Sequence, residues 1–227
     1  MKHCFSFSFL FVLSVSSLSA QNLKNFSVPK GYTQIAEAKG DLDKGGKDEI
    51  ILIFNTDIEA SGMQNPEGTG DYKRVFYILK KENSGLKVWK ENATILFSSG
   101  FGFYPSNNTF KINIKNGCLI IEQLFFTNSR HTQQYKHTFR FQNGDFYLIG
   151  LHDHFEDTCD FSFTNEINFS TGKVIVDREY SSCDDDTKVP ENSHKEFTHK
   201  FPLIKMNDFF IGEHKFKIPG LKEDFAF

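Results

Sequence analysis

The sequence predicts an all-β protein: antiparallel meander sheets, sandwich-like or partial-propeller-like, with little helix. Three observations carry this. Asn116-Gly117 and Asn143-Gly144 each stand between two β-type runs, the strongest short-range hairpin signal, because a type I′ turn needs positive φ at both positions. Phe is in excess, 27 residues against one Trp and three Met, and aromatic side chains suit pleated, half-buried surfaces. No long segment carries the 3.6-residue apolar period of a helix.

Residues 1–20 read as a secretory leader. Lys2 and His3 precede an apolar run from Phe5 to Val15, and small residues end at Ser17-Leu18-Ser19-Ala20, so cleavage before Gln21 is expected. The run is too short to span a bilayer, and Cys4 lies before it rather than after, which argues against a lipid anchor. Residues 21–227 are then a single β-rich domain, secreted, periplasmic or at the cell surface. No later stretch is apolar and long enough for a transmembrane helix. The net charge of −3, with Lys and Arg spread along the chain, lacks the basic stripe of a nucleic-acid binder.

Residues 21–38 are a mixed lead-in, with a short strand or helix near Thr33–Ala38. The apolar, β-branched run Ile50-Ile51-Leu52-Ile53-Phe54 reads as a buried strand. Residues 57–71 form a polar, Gly-rich loop. Arg74–Leu79 and Leu86–Trp89 flank the turn Glu82-Asn83-Ser84-Gly85, and Ala93–Phe97 reads as a further strand. Ser98–Asn108 is a loop rich in Gly and aromatic residues. Its Gly100-Phe101-Gly102-Phe103-Tyr104-Pro105 either stacks on a ligand or plugs the end of a sheet, and Phe without a polar handle favours the plug.

From 109 to 181 three successive hairpins make a six-strand meander. Asn116-Gly117 joins Phe110–Lys115 to Cys118–Phe126, Asn143-Gly144 joins Tyr135–Gln142 to Asp145–Leu151, and Ser170-Thr171-Gly172 joins Phe161–Phe169 to Lys173–Tyr180. The second turn predicts that Phe141 faces Phe146 and Phe139 faces Leu148. Residues 184–196 read as a polar, acidic loop and Phe197–Phe201 as a late strand.

Cys159 and Cys183 each lie twelve residues from Thr171. In a simple register they stand nearly opposite, at a separation that a disulfide bridges, and an oxidising compartment favours the bond. The alternative is two thiols held apart by a bulge. Cys118 begins a strand and reads as a buried small hydrophobe.

Candidate ligands for chemistry are few. In Asp41-Leu42-Asp43-Lys44-Gly45-Gly46-Lys47-Asp48-Glu49, alternating acids and a central Gly follow the logic of calcium loops, in which one turn points several carboxylates inward. Gly45 stands where an acid or amide is usual, and Lys44 and Lys47 add positive charge. Metal: Asp41, Asp43 and Glu49 are the candidate calcium ligands, and the alternative is a metal-free turn of the same shape. His152 and His154, with Glu156 and Asp157, would share a strand face with a two-His spacing, a third ligand coming from Asp184, Asp185 or Asp186. The alternative is a polar strand end. No nucleophile elbow occurs, and no catalytic residue is assigned. Asn25, Asn92, Asn107 and Asn168 each open an Asn-x-Ser/Thr triplet.

The acidic loop resembles the FG-GAP/VCBS calcium loop, in which Gly-Asp-Leu-Asn-x-Asp-Gly-x-x-Asp leads into an apolar strand. The likeness runs from Ala38 to Leu52, with Gly45 as the departure, and implies calcium at Asp41, Asp43 and Glu49. One copy occurs, so a full propeller is not implied. The wider layout is similar to a group of secreted or envelope bacterial proteins of uncharacterised function with one such loop. They share a hairpin of the Phe-Arg-Phe-Gln-Asn-Gly-Asp-Phe-Tyr-Leu-Ile-Gly type, here residues 139–150, and a pattern like Asn168-Phe169-Ser170-Thr171-Gly172-Lys173. That resemblance implies an all-β fold and no activity. The function expected is a non-enzymatic module binding a protein or glycan, with no cofactor, or calcium alone. The alternatives are an envelope hydrolase with a metal at His152 and His154, and a structural envelope component.

Overall fold

The structure, a computed structural model, describes residues 23–60, 67–220 and 224–227. The expected leader, residues 1–20, lies outside the described residues. Among the described residues the strands run β1 (Lys24–Asn25), β2 (Thr33–Gly40), β3 (Glu49–Glu59), β4 (Tyr72–Glu82), β5 (Gly85–Asn92), β6 (Thr109–Lys115), β7 (Cys118–Phe126), β8 (His131–Gln142), β9 (Asp145–Asp157), β10 (Phe161–Asn168), β11 (Lys173–Tyr180), β12 (Ser193–Thr198), β13 (Lys215–Lys217) and β14 (Asp224–Ala226). The helical elements among the described residues are two short 3-10 turns, Pro105–Asn107 and Met206–Asp208.

The strands pair antiparallel into a five-stranded sheet, β1-β5-β4-β3-β2, a seven-stranded sheet, β12-β11-β10-β9-β8-β7-β6, and a hairpin, β13-β14. The two large sheets face each other across one core, in which Ile51, Ile53, Phe76 and Ile78 of the first sheet meet Leu119, Ile121, Phe139, Phe146 and Leu148 of the second. The expected all-β class and sandwich-like arrangement are therefore seen.

The continuous apolar run in β3 is explained by burial on both faces. Ile51 and Ile53 point into the central core, while Leu52 and Phe54 point the other way, into a second cluster with Val75, Tyr77 and Leu79 under Phe26 and Tyr32. A strand with water on one face would alternate; this one has none. The undecided lead-in resolves as strand β2 with a register shift at Ile35.

The meander forms as expected. Asn116 and Gly117 take φ of 55° and 71°, and Asn143 and Gly144 take 51° and 80°, the positive pair that a type I′ turn needs. Phe141 pairs with Phe146 and Phe139 with Leu148. Phe141, Phe146 and Trp89 then make edge-on and tilted contacts at 4.7 to 5.2 Å between ring centroids, joining the two sheets.

Two expected strands differ. Ala93–Phe97 is a bend, because side chains take its backbone groups. Asn92 Oδ1 accepts from the Thr94 and Ile95 amides, and Gln123 accepts from Phe97 N and donates to Ile95 O. Asn92 is buried in this clamp, and its Nδ2 donates to Met206 O, so the folded chain presents no free amide at this Asn-x-Thr triplet. The late strand is β12, which begins four residues before Phe197 and ends at Thr198. It pairs with β11 only as far as Thr198 opposite Lys173, where the turn of the last hairpin begins. Beyond that point His199 N donates to Gly172 O, and Phe201 packs on Phe169. The strands flanking residues 57–71 reach further than expected, β3 to Glu59 and β4 back to Tyr72.

Cys159 and Cys183 form a disulfide at a Cα separation of 5.2 Å. It closes the open end of the β10–β11 hairpin. Beside it the buried Asp157 carboxylate accepts from Cys159 N and Asp160 N and pairs with Arg130. Burial works against the charge, but these donors outweigh it and hold its pKa below the ordinary value. Asn128 Nδ2 lies 2.9 Å from His131 Nδ1, and Nε2 of the same ring lies 2.9 Å from Asp157 Oδ2. Cys118 is a free, half-buried thiol rather than a fully buried one.

Replacing both Cys159 and Cys183 by Ser is expected to lower the unfolding free energy by about 3 kcal/mol, the chain-entropy value for a loop of this length. A urea titration measures it, and an unchanged midpoint would show that the bond constrains nothing. Of Cys118, Cys159 and Cys183, only Cys118 is expected to react with a thiol reagent in denatured, unreduced protein.

Candidate functional site

Three constellations in the structure carry polar chemistry. The first is on the inner face of the seven-stranded sheet, at the disulfide end. Strand alternation puts Gln133, Tyr135, His137 and Phe139 of β8 on that face. On β9 a register shift between Thr138 and Phe139 leaves Ile149 as an extra residue. The inward positions change there from Phe146 and Leu148 to Leu151, Asp153 and Asp157. A bulge of this kind re-aims every side chain beyond it. Without it His152 and His154 would point into the core and Asp153 into water.

The result is a polar row set in an apolar face. Tyr135 pairs with Asp153 and Asp153 with Asn165, while Phe163 pairs with both Phe155 and Arg178. Asp153, Asn165 and Arg178 are each 4% exposed. Gln133 Nε2 donates to Asp153 Oδ1, Asn165 Nδ2 donates to Asp153 Oδ2 at 2.7 Å, and Arg178 donates to Asn165 Oδ1 at 3.1 Å. The Arg178 guanidinium lies over the Phe163 ring at 4.9 Å. Burial pushes the Asp153 carboxyl up to about 6, although the amides and Arg178 pull the other way. These groups line a pocket of 390 Å³ with Phe155, Phe163 and the β14 residues Asp224, Phe225 and Ala226. Tyr135 Oη donates to Ala226 O at 3.0 Å and so fixes β14 at the rim.

The second constellation is the acidic loop between β2 and β3. The structure brings the three expected residues together: one carboxylate oxygen from each of Asp41, Asp43 and Glu49 lies within 4.8 Å of the others, a group that can hold a metal ion. The loop is shaped by these same acids. Asp41 accepts from Gly45 N and Gly46 N, Asp43 from Gly45 N, and the buried Glu49 from Leu42 N. Burial pushes the Glu49 carboxyl up, and its acidic neighbours add to this. Lys80 of β4, which sequence reading did not single out, also reaches this group, pairing with Asp43.

The third is His152 and His154, which share the outer face as expected, with near-parallel rings 6.2 Å apart. His152 Nδ1 faces Glu166, and His154 faces Thr164 and Glu156. Among the described residues the acidic loop is the one group of three metal-type ligand atoms, so Asp184, Asp185 and Asp186 do not complete a site here. The aromatic loop packs as a plug: Phe101 stacks on Phe97 at 4.1 Å and meets Phe125 edge-on.

Comparison with protein-family models, with curated proteins and with solved structures finds no match for this chain. Among the described residues no helix is long and apolar enough to cross a membrane. The inner-face pocket was missed at the sequence level because each member sits alone in its strand. The available signal was parity: Asp153, Asn165 and Arg178 each fall in step with an apolar residue two positions away, Leu151, Ile167 and Val176.

His137, one row further in, is fully buried with neither ring nitrogen hydrogen-bonded. Desolvation, with a smaller contribution from His214, pushes its pKa down to about 3. The unfolded chain takes up a proton here below its ordinary 6.5. Stability from His137 is therefore complete above that pH and falls on acidification, by about 1.4 kcal/mol per pH unit. Asp153 runs the other way: its folded pKa of about 6 exceeds the ordinary 3.8, so its contribution is present at low pH and lost as pH rises through 6. Between about pH 6 and 4 the two slopes cancel. His137→Leu is expected to remove the His137 slope, so that on acidification across this window its urea midpoint rises relative to that of the wild type. Parallel curves for the two proteins would refute the assignment.

Proposed function

We propose that the protein is a non-enzymatic binding module that works outside the cytosol and takes a glycan in the inner-face pocket. The observation that carries this reading is a carboxylate, two amides and a guanidinium gathered at one concave spot of an otherwise apolar sheet, beside half-buried aromatic rings. Ligand sites have this make-up: an apolar lining and a few polar groups that fix orientation. A saccharide suits both parts. Its C–H face packs on rings such as Phe155 and Phe163, and its hydroxyls pair with Asp153, Gln133 and Asn165. The leader-like residues 1–20 and the Cys159–Cys183 disulfide support an oxidising compartment. In this reading residues 38–52 are a degenerate FG-GAP/VCBS-type loop kept for its shape, with calcium as the ion that its acids suit.

A saccharide panel followed by calorimetry tests the proposal. At least one oligosaccharide is expected to bind with a dissociation constant in roughly the micromolar to millimolar range. Phe163→Ala and Asp153→Asn are each expected to weaken it about tenfold or more, about 1.4 kcal/mol. A panel without a binder, or variants that bind as well as the wild type, would remove the pocket as the site.

A further inference from the structure

We infer that the acidic loop carries its own cation: the Lys80 ammonium, delivered from β4, occupies the place in which a divalent metal would neutralise Asp41, Asp43 and Glu49. The latent metal site opens when that ammonium is removed.

The geometry leads to this in three steps. First, β4 alternates so that Ile78 enters the central core, and Lys80, two residues on, lies on the same face. The side chain therefore runs along the inner face towards the β2–β3 loop. Second, its charge is gripped from two sides. Lys80 Nζ donates to Asp43 Oδ2 and stands 3.9 Å from Glu49 Oε1. On the other side the same atom is 3.9 Å from the Trp89 ring centroid, over the π face. A cation held against an aromatic face and two carboxylates is fixed in place. Lys80 is only 26% exposed, and Glu49 only 4%. Third, the loop leaves this charge needed. The three acids are drawn together by backbone amides of Gly45, Gly46 and Leu42, and that leaves negative charge concentrated on a partly buried turn. Burying unpaired carboxylates is unfavourable. A Lys on a neighbouring strand and a bound divalent ion are alternative solutions, and they exclude each other, because an ammonium and a divalent cation within a few ångströms repel. Gly45, which removes an acid from the position where calcium loops usually have one, fits a monovalent partner: one charge fewer on the loop matches one charge fewer on the cation.

Lys80 thus stands apart from Lys44 and Lys47, which lie exposed on the loop itself. The inference is independent of the glycan reading, since the two constellations share no residue.

The test uses the whole protein, calcium and terbium. Trp89 is the one Trp in the chain, and its ring touches the position in question, so a lanthanide bound there is excited through it. Wild type is expected to melt at the same temperature in calcium and in chelator and to give no Trp-sensitised terbium emission. Lys80→Met is expected to melt about 5 °C or more lower in chelator, to recover with millimolar calcium, and to bind terbium with strong sensitised emission. Lys80→Arg keeps a cation and should remain indifferent to both metals, and Lys44→Met should behave as wild type. Stoichiometric calcium or terbium binding by wild type would overturn the inference, as would a Lys80→Met protein that is as stable as wild type and silent to both metals. If Lys80→Met does not fold in chelator, folding rescued by calcium upholds it, and no rescue overturns it.

Discussion

A two-residue turn leaves the strands that it joins no slack. With Asn143 and Gly144 held at positive φ, Gln142 meets Asp145, and the pairing of β8 with β9 is fixed from there outward, to His131 opposite Asp157. The next hairpins inherit the register, since β10 lies on β9 and β11 on β10. One departure, the extra residue Ile149, is then enough to decide what β9 shows to the core. What β9 adds to the polar inner face follows from that count: Asp153 in, and His152 and His154 out. The glycine beside the extra residue, Gly150, sits opposite Thr138 with room for little more than a Cβ, as expected where a strand must bend.

The same register sorts the molecule into two ends. The turns at 116–117, 143–144 and 170–172 lie together, and the acidic loop packs against the first of them, where the Lys44 side chain reaches Gly117. Lys90 to Asp145 at 2.8 Å ties the first sheet to the middle turn at that end. The opposite end holds the disulfide, the Asp157 anchor and the pocket. Between them lies the aromatic and aliphatic core, with Phe139, Phe146 and Phe209 fully buried. Each end solves the burial of charge locally: Asp153 with amides and a stacked guanidinium, Glu49 with a backbone amide and a lysine.

Much of this was legible in the sequence where local rules act alone. The Asn-Gly turns named their hairpins and even the Phe141–Phe146 pair, because type I′ geometry admits few residues and fixes its neighbours. The disulfide followed from symmetry about the last turn. The acidic loop was legible as a group of three carboxylates, because they lie within one turn. Hidden features depended on distance along the chain. Lys80 is far in sequence from Asp43, and nothing in its own strand marks it. The Asp153 row draws on four strands, and the bulge that aligns it has no signature beyond Ile149-Gly150. Ala93–Phe97 reads as a strand, but its hydrogen-bond partners are side chains from Asn92 and Gln123, which propensity does not see.

The Cys159–Cys183 bond also bears on how the chain withstands cutting. The segment that it encloses includes the whole β10–β11 hairpin and its tip at Ser170-Thr171-Gly172. A nick at that tip severs the backbone but frees neither half: the two strands stay paired along their ladder and tied through sulfur at the far end. Damage there would add only the mass of one water under non-reducing conditions and would appear as two fragments only after a reductant is added.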